Sequence, residues 1–165
     1  MERFRLKFPC KPYIRRYLEI TFGNPAELSK DKVLYDVFRL KLRKKSYRYD
    51  RGQYRTLSKY TDSIDIKIGR DDFYRYGWEL SRTDIVAFNI LLEGRVKLLL
   101  YKTISLYRAF NYPLTKSIAI FQQKYGFTEE DWPAESVRRE CRRNLKIHGD
   151  DMGCLIDEMV KKFEF

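Results

Sequence analysis

Apolar residues recur along this chain with two different periods, and the changes of period divide it into elements. In FRLKF (4–8) apolar and basic residues alternate, the two-residue period of a strand with one buried face. Pro9 and Pro12 interrupt that pattern. Tyr13, Ile14, Tyr17, Leu18 and Phe22 then fall at helical spacing, and Gly23-Asn24-Pro25 stops the helix. A second helix is expected to begin near Ser29, whose hydroxyl can cap it, and to run through DKVLYDVFRLKLRK, with Leu34, Val37, Phe38 and Leu42 as its inner stripe. SIDIKI (63–68) alternates strictly, with Ile64, Ile66 and Ile68 on one face, and is expected to pair with FRLKF in a small sheet.

RDDFYRYG (70–77) reads as a short helix, with Asp71 and Asp72 where the helix dipole favours acids. The longest helix is expected from Thr83 to Phe110. It is apolar on most sides (Ile85, Phe88, Leu91, Leu92, Val96, Leu99, Ile104, Leu106), which places it at the centre of the core, and Asn111-Tyr112-Pro113 ends it. Leu114, Ile118, Phe121 and Tyr125 mark one face of a further helix, closed by Gly126 in a left-handed conformation with Phe127 packing back. Thr128 can cap a short helix whose first turn holds Glu129, Glu130 and Asp131. Pro133 opens the next helix, in which Val137, Cys141 and Leu145 face inward and Arg138, Arg139, Arg142 and Arg143 lie on adjacent outward stripes. In the net-acidic tail, Leu155, Ile156, Met159, Val160 and Phe163 again sit at helical spacing, suited to docking on the core or to a dimer contact.

The resulting fold class is mainly α with a small antiparallel sheet (α+β). An α+β core with the long central helix is expected over residues 1–112. A helical C-terminal part, residues 113–165, is expected to pack on it as one unit.

Charge changes the picture from fold to partners. The 165 residues carry a formal net charge of +11 and a pI near 9.6, which predicts attraction to polyanions, either nucleic acid or an anionic membrane surface. Three widely spaced cysteines (Cys10, Cys141, Cys154) without a CxxC speak against a disulfide framework or zinc ribbon and for a reducing compartment. The first residues hold no long apolar run, and Glu93, Arg95, Lys97, Lys102 and Arg108 interrupt the most apolar stretch, so neither a leader nor a membrane span is expected. The expected location is cytoplasmic.

The most basic stretch is KLRKKSYRYDRGQYR (41–55), with seven basic residues against one Asp. Lys41, Arg43, Lys44, Lys45, Arg48, Arg51 and Arg55 suit phosphate contacts, and the interleaved Tyr47, Tyr49 and Tyr54 can stack on exposed bases. A solvated loop or a patch for an acidic protein partner is the plainer reading of the same composition.

Near the C-terminal end the order is helix, glycine turn, short helix, arginine-bearing helix, which is that of a helix-turn-helix. Lys124-Tyr125-Gly126-Phe127-Thr128-Glu129 resembles the turn of helix-turn-helix regulators, among them the Mor-type activators of transposable phages, over residues 114–145. The resemblance implies a DNA-binding module whose last helix enters the major groove, bringing Ser136, Arg139, Arg142 and Arg143 near bases or phosphates; Arg138, on an adjacent outward stripe, is expected to make such contacts with them. The sequence departs from the usual pattern in the Trp132-Pro133 insertion and in Gln122, where a small residue is usual. Residues 124–144 also balance five cations with five acids, as a solvated helix pair would.

Catalysis is not indicated, and no cofactor or metal is expected. Asp65-Ile66-Lys67 has the form of half a restriction-type nuclease site, with Asp50 or Asp62 as the upstream carboxylate, but strict alternation puts Asp65 and Lys67 on the solvent face. His148, between Cys141 and Cys154, fits no finger spacing, and a single histidine excludes a two-histidine relaxase site. The expected function is therefore non-catalytic DNA binding, with duplex favoured, by a transcription regulator or replication accessory of a phage or mobile element. A basic virion or scaffold component, an RNA-binding accessory protein and a homodimer stay open.

Overall fold

Alternation along two distant segments becomes a two-stranded antiparallel ribbon in the computed structural model, which describes residues 3–44 and 57–145. Strand β1 (Arg3–Cys10) pairs with β2 (Asp62–Gly69) in the register Phe4↔Ile68, Leu6↔Ile66, Phe8↔Ile64. Those pairs share the core face, while Arg5↔Lys67 and Lys7↔Asp65 share the other. Helices supply the rest, so the fold is mainly α with a small antiparallel sheet.

The chain divides into two compact units, residues 1–94 and 95–165. The division falls inside the longest helix. In the first unit, α1 (Pro12–Phe22) begins with a proline, whose missing N–H costs nothing there, and buries Tyr13, Ile14, Tyr17, Leu18 and Phe22, the stripe expected from spacing. The next segment rejoins the sheet: Ala26 donates to the Asp65 carbonyl at 2.7 Å and accepts from Lys67 N–H at 2.9 Å. A 3₁₀ turn (Leu28–Lys30) precedes α2 (Lys32–Lys41).

The cap of α2 is not Ser29. Asp31 performs that role, its carboxylate accepting from Leu34 N–H at 2.9 Å, because the 3₁₀ turn delays the helix beyond the serine. Leu34, Phe38 and Leu42 are buried as expected, and Val37 is half-buried. Helix α3 (Arg70–Tyr76) follows β2 directly, and α4 (Arg82–Ala109) follows it. Ser81 caps α4 in both directions, accepting from Asp84 N–H at 3.1 Å and donating to the Asp84 carboxylate.

Only one stripe of α4 is buried: Phe88 and Leu92 in the first unit, Val96, Leu100 and Ile104 in the second. The helix expected at the centre of the core reaches it by this stripe alone: Leu106, counted among its core residues, is exposed, as are Ile90 and Leu98. In the first unit the fully buried Asn89 donates to the Pro9 carbonyl at 2.9 Å and to its own helix at the Ile85 carbonyl, tying α4 to the end of β1.

In the second unit α4 ends, and α5 (Leu114–Lys124) ends, by the same device. Asn111 (φ 62°) and Gly126 (φ 57°) adopt the left-handed conformation, and the residue after each bonds back across the last turn, Tyr112 N–H to the Tyr107 carbonyl and Phe127 N–H to the Gln122 carbonyl. Phe127 packs on Phe121 with ring centroids 5.5 Å apart, closing a cluster with Tyr125 and Trp132. The last described helix is α6 (Ala134–Asn144).

Candidate nucleic-acid interface

Two regions carry the side chains that the sequence singles out. In α6, Val137 and Cys141 are fully buried, which fixes the helix's orientation in its unit. Its N-terminus is held from the preceding turn, because Pro133 offers no N–H and both Glu129 carboxylate oxygens accept from Ala134 N–H at 3.1 Å. The acids crowded ahead of the arginines thus have a local use.

The short helix expected after Thr128 is a single hydrogen-bonded turn. Thr128 N–H and Oγ1 both donate to the Asp131 carboxylate, at 3.0 and 2.9 Å, and Asp131 N–H donates back to Thr128 Oγ1 at 3.2 Å. That reciprocal closure, with Pro133 following, leaves no room for a second turn. Nine residues (125–133) therefore join α5 to α6 without a helix between them. Gln122, at the position where the resembled regulators carry a small residue, donates to the Trp132 carbonyl at 2.9 Å and braces this connection.

On the far side of α6, Glu140 is gripped from α4: Tyr101 Oη donates at 2.6 Å, Lys97 Nζ sits at 2.8 Å, and Asn144 Nδ2 donates at 3.0 Å. Burial pushes the Glu140 pKa up, but the hydrogen bonds from Lys97 and Tyr101 and the charges of Lys97 and Arg143 outweigh it, and the net shift is downward. The same burial, with Glu140 alongside, raises the Cys141 thiol to about 12.

With Glu140 so engaged, the outward arginines divide into two classes. Arg138 and Arg139 lie 3.1 and 3.9 Å from Glu135, exposed contacts worth little in water. Arg142 and Arg143 are exposed; the Arg143 charge acts on Glu140, but neither guanidinium forms a close ion pair among the described residues. Ser136 is half-buried, its N–H given to the Pro133 carbonyl.

The basic segment enters the structure only at its root. Lys45, Tyr47, Arg48, Tyr49, Arg51, Tyr54 and Arg55 lie outside the described residues. Lys41 and Arg43 both reach Asp84, at 3.6 and 2.6 Å, and they lower its pKa: burial raises it, but the Ser81 hydrogen bond and these two cations prevail. Arg43 also exchanges backbone hydrogen bonds with Glu79 and accepts from Trp78 N–H at 3.1 Å. Lys44, next along the chain, is exposed.

Beside this root stands a group that the sequence reading passed over. FYRYGW (73–78) packs four aromatics into six residues, more than a seven-residue helix can bury on one face, and that density was the available signal. Phe73 stacks on Phe4 with centroids 3.8 Å apart and on Trp78 at 5.1 Å. Tyr76 carries the Arg39 and Arg75 guanidinium groups at 5.1 and 5.4 Å from its ring centre.

Asp62 pairs with Arg15 at 3.1 Å, and Lys67 stands 3.8 Å from Glu27. Asp50, His148 and Cys154 lie outside the described residues. Among the described residues no group of three His, Cys, Asp or Glu is placed to hold a metal ion, and no helix is long and apolar enough to cross a membrane. Comparison with protein families, with curated proteins and with solved structures gave no match to the chain.

Proposed function

We propose that this chain is a non-catalytic DNA-binding protein, a transcription regulator or replication accessory of a phage or mobile element, that applies α6 to duplex DNA. One observation carries the reading: α6 is anchored by Val137, Cys141 and the gripped Glu140, and it turns Arg139, Arg142 and Arg143 to solvent in a chain of net charge +11. A rigid helix with exposed guanidinium groups on one side neutralises phosphates and can reach base edges. The connection before α6 is longer than the roughly three or four residues of a helix-turn-helix. The proposed contact therefore relies on the arginine face itself, without that motif's fixed crossing angle. The attribution to a phage or mobile element rests on the resemblance around Gly126 alone. Lys44 and the cations of 45–55 are proposed to follow the phosphate backbone, with Lys41 and Arg43 holding the root of that segment.

The test is an electrophoretic shift series against duplex DNA at rising salt, with Arg138, Arg139, Arg142 and Arg143 replaced by alanine. Loss of duplex affinity with an unchanged melting temperature supports the reading; undiminished binding removes α6 from it.

A second reading, a structural or protein-interaction component, draws on a different observation. Leu98 and Leu106 on the second-unit part of α4, and Phe110 just past its end, are 51%, 56% and 68% exposed. Sedimentation of the chain beside a Leu106→Glu variant decides whether these apolar side chains join two copies: a dimer converted to monomer favours this reading.

A further inference from the structure

We propose that the ring stack Phe4–Phe73–Trp78, walled by Tyr74, is a binding site for an unpaired nucleobase. The proposal rests on the nucleic-acid reading above but concerns different residues, in the first unit, and a different form of the ligand.

The rings are stacked in series. Phe73 lies nearly parallel to Phe4 (16°, centroids 3.8 Å apart), almost face to face, and to Trp78 (22°, 5.1 Å) in an offset stack. Among the described residues no ring contact joins Phe4 to Trp78, so Phe73 stands between them and Trp78 ends the series. Tyr74 meets both phenylalanines edge-on, at 85° and 84°, and forms a side wall. The inner ring is half-buried, while Trp78 is 38% and Tyr74 58% exposed. An indole at the open end of a stack presents a flat surface that one more planar ring extends, and any nucleobase has such a ring.

The surroundings fit a polyanion's base better than an apolar peptide. Arg70, Arg75 and Lys44 are exposed and form no ion pair among the described residues. Of the two acids of α3, Asp72 is occupied by the Tyr35 hydroxyl and by Arg39 at 3.7 Å, which leaves Asp71 and, next to Trp78, Glu79 against these three cations, of which Arg75 lies over the Tyr76 ring. The platform is also held rigidly: the Trp78 and Glu79 N–H groups both donate to the Arg43 carbonyl, at 3.1 and 3.0 Å. Duplex DNA keeps its bases inside, so the site selects single strands, gaps or loops, of DNA or RNA alike.

Tryptophan emission tests this directly, because the chain has two tryptophans and Trp132 is buried. The full-length protein is titrated with oligothymidylate and with oligouridylate of about 12 nucleotides, and with a duplex of equal length. Saturable quenching by the single strands is expected, and little by the duplex. Trp78→Ala and Tyr74→Ala should each weaken single-strand binding about ten-fold while leaving duplex affinity unchanged, and Trp78→Phe, which keeps a ring, should retain most of it. Equal affinity for the two oligonucleotides indicates stacking alone; a preference names the sugar or base that the site favours, and both outcomes support the site. If Trp78→Ala unfolds, the exposed Tyr74→Ala and the conservative Trp78→Phe carry the measurement.

Duplex binding without single-strand quenching, or single-strand affinity indifferent to Trp78 and Tyr74, overturns this inference and leaves the duplex reading intact. Binding of neither form by the unaltered protein overturns both.

Discussion

At Gly77 one hydrogen atom decides how two backbones meet. A Cβ there would stand 2.1 Å from the Arg43 carbonyl carbon, 2.2 Å from its oxygen and 2.3 Å from Lys44 N, all of them main-chain atoms that cannot swing aside. Its φ of +111° is also a conformation that side chains resist. Gly77→Ala must therefore push residues 78–79 off residues 43–44 and break their hydrogen bonds. A loss of about 1–3 kcal/mol is expected, read as a lower midpoint in urea denaturation. A variant as stable as the parent would mean that the two segments do not approach in this way. The same residue sets the height at which Trp78 is presented, so its replacement should also reduce quenching by oligothymidylate.

At the scale of elements, the polar contact between α4 and α6 centres on one carboxylate. Glu140 titrates below its ordinary value in the folded protein, so its contribution is complete above the unfolded pKa and fades as pH falls through the lowered folded value. Glu140→Gln should lower stability at neutral pH by about 1–3 kcal/mol, with the deficit shrinking in acid. Thermal melts of the pair from neutral pH down to below 4 check this, and a deficit constant with pH would contradict it. Elements set by local pattern were legible in the sequence: both strands, the α1 stripe, the glycine closing α5 and the proline opening α6 each follow from neighbours a few residues apart. What escaped depends on partners distant in sequence or on competition within a turn. Asp84 claims Lys41 and Arg43 from the far side of β2. Phe4 meets Phe73 only because the ribbon brings the start of one strand beside the end of the other. Thr128 and Asp131 satisfy each other and so end a helix that composition alone would continue.

For the molecule as a whole, a charge of +11 makes any nucleic-acid affinity steeply dependent on salt. The slope of log affinity against log salt should flatten by about one for each phosphate contact removed, hence by up to about three when Arg139, Arg142 and Arg143 become alanine. A slope unchanged by the triple variant would place the contacts elsewhere in the chain. The two compact units carry separate candidate surfaces, α6 in one and the ring stack in the other.

Among the described residues each unit also conceals one sulfhydryl, Cys10 in the first and Cys141 in the second, both buried and both raised to about 12, by burial first and then by a nearby carboxylate, Asp62 and Glu140 respectively. In neutral buffer an alkylating reagent reaches either only while its surroundings breathe open. Mass spectrometry that resolves the two sites, and separates them from Cys154, turns the pair into independent clocks. Matching rates would show the halves opening as one cooperative body, and unequal rates would show which half gives way first.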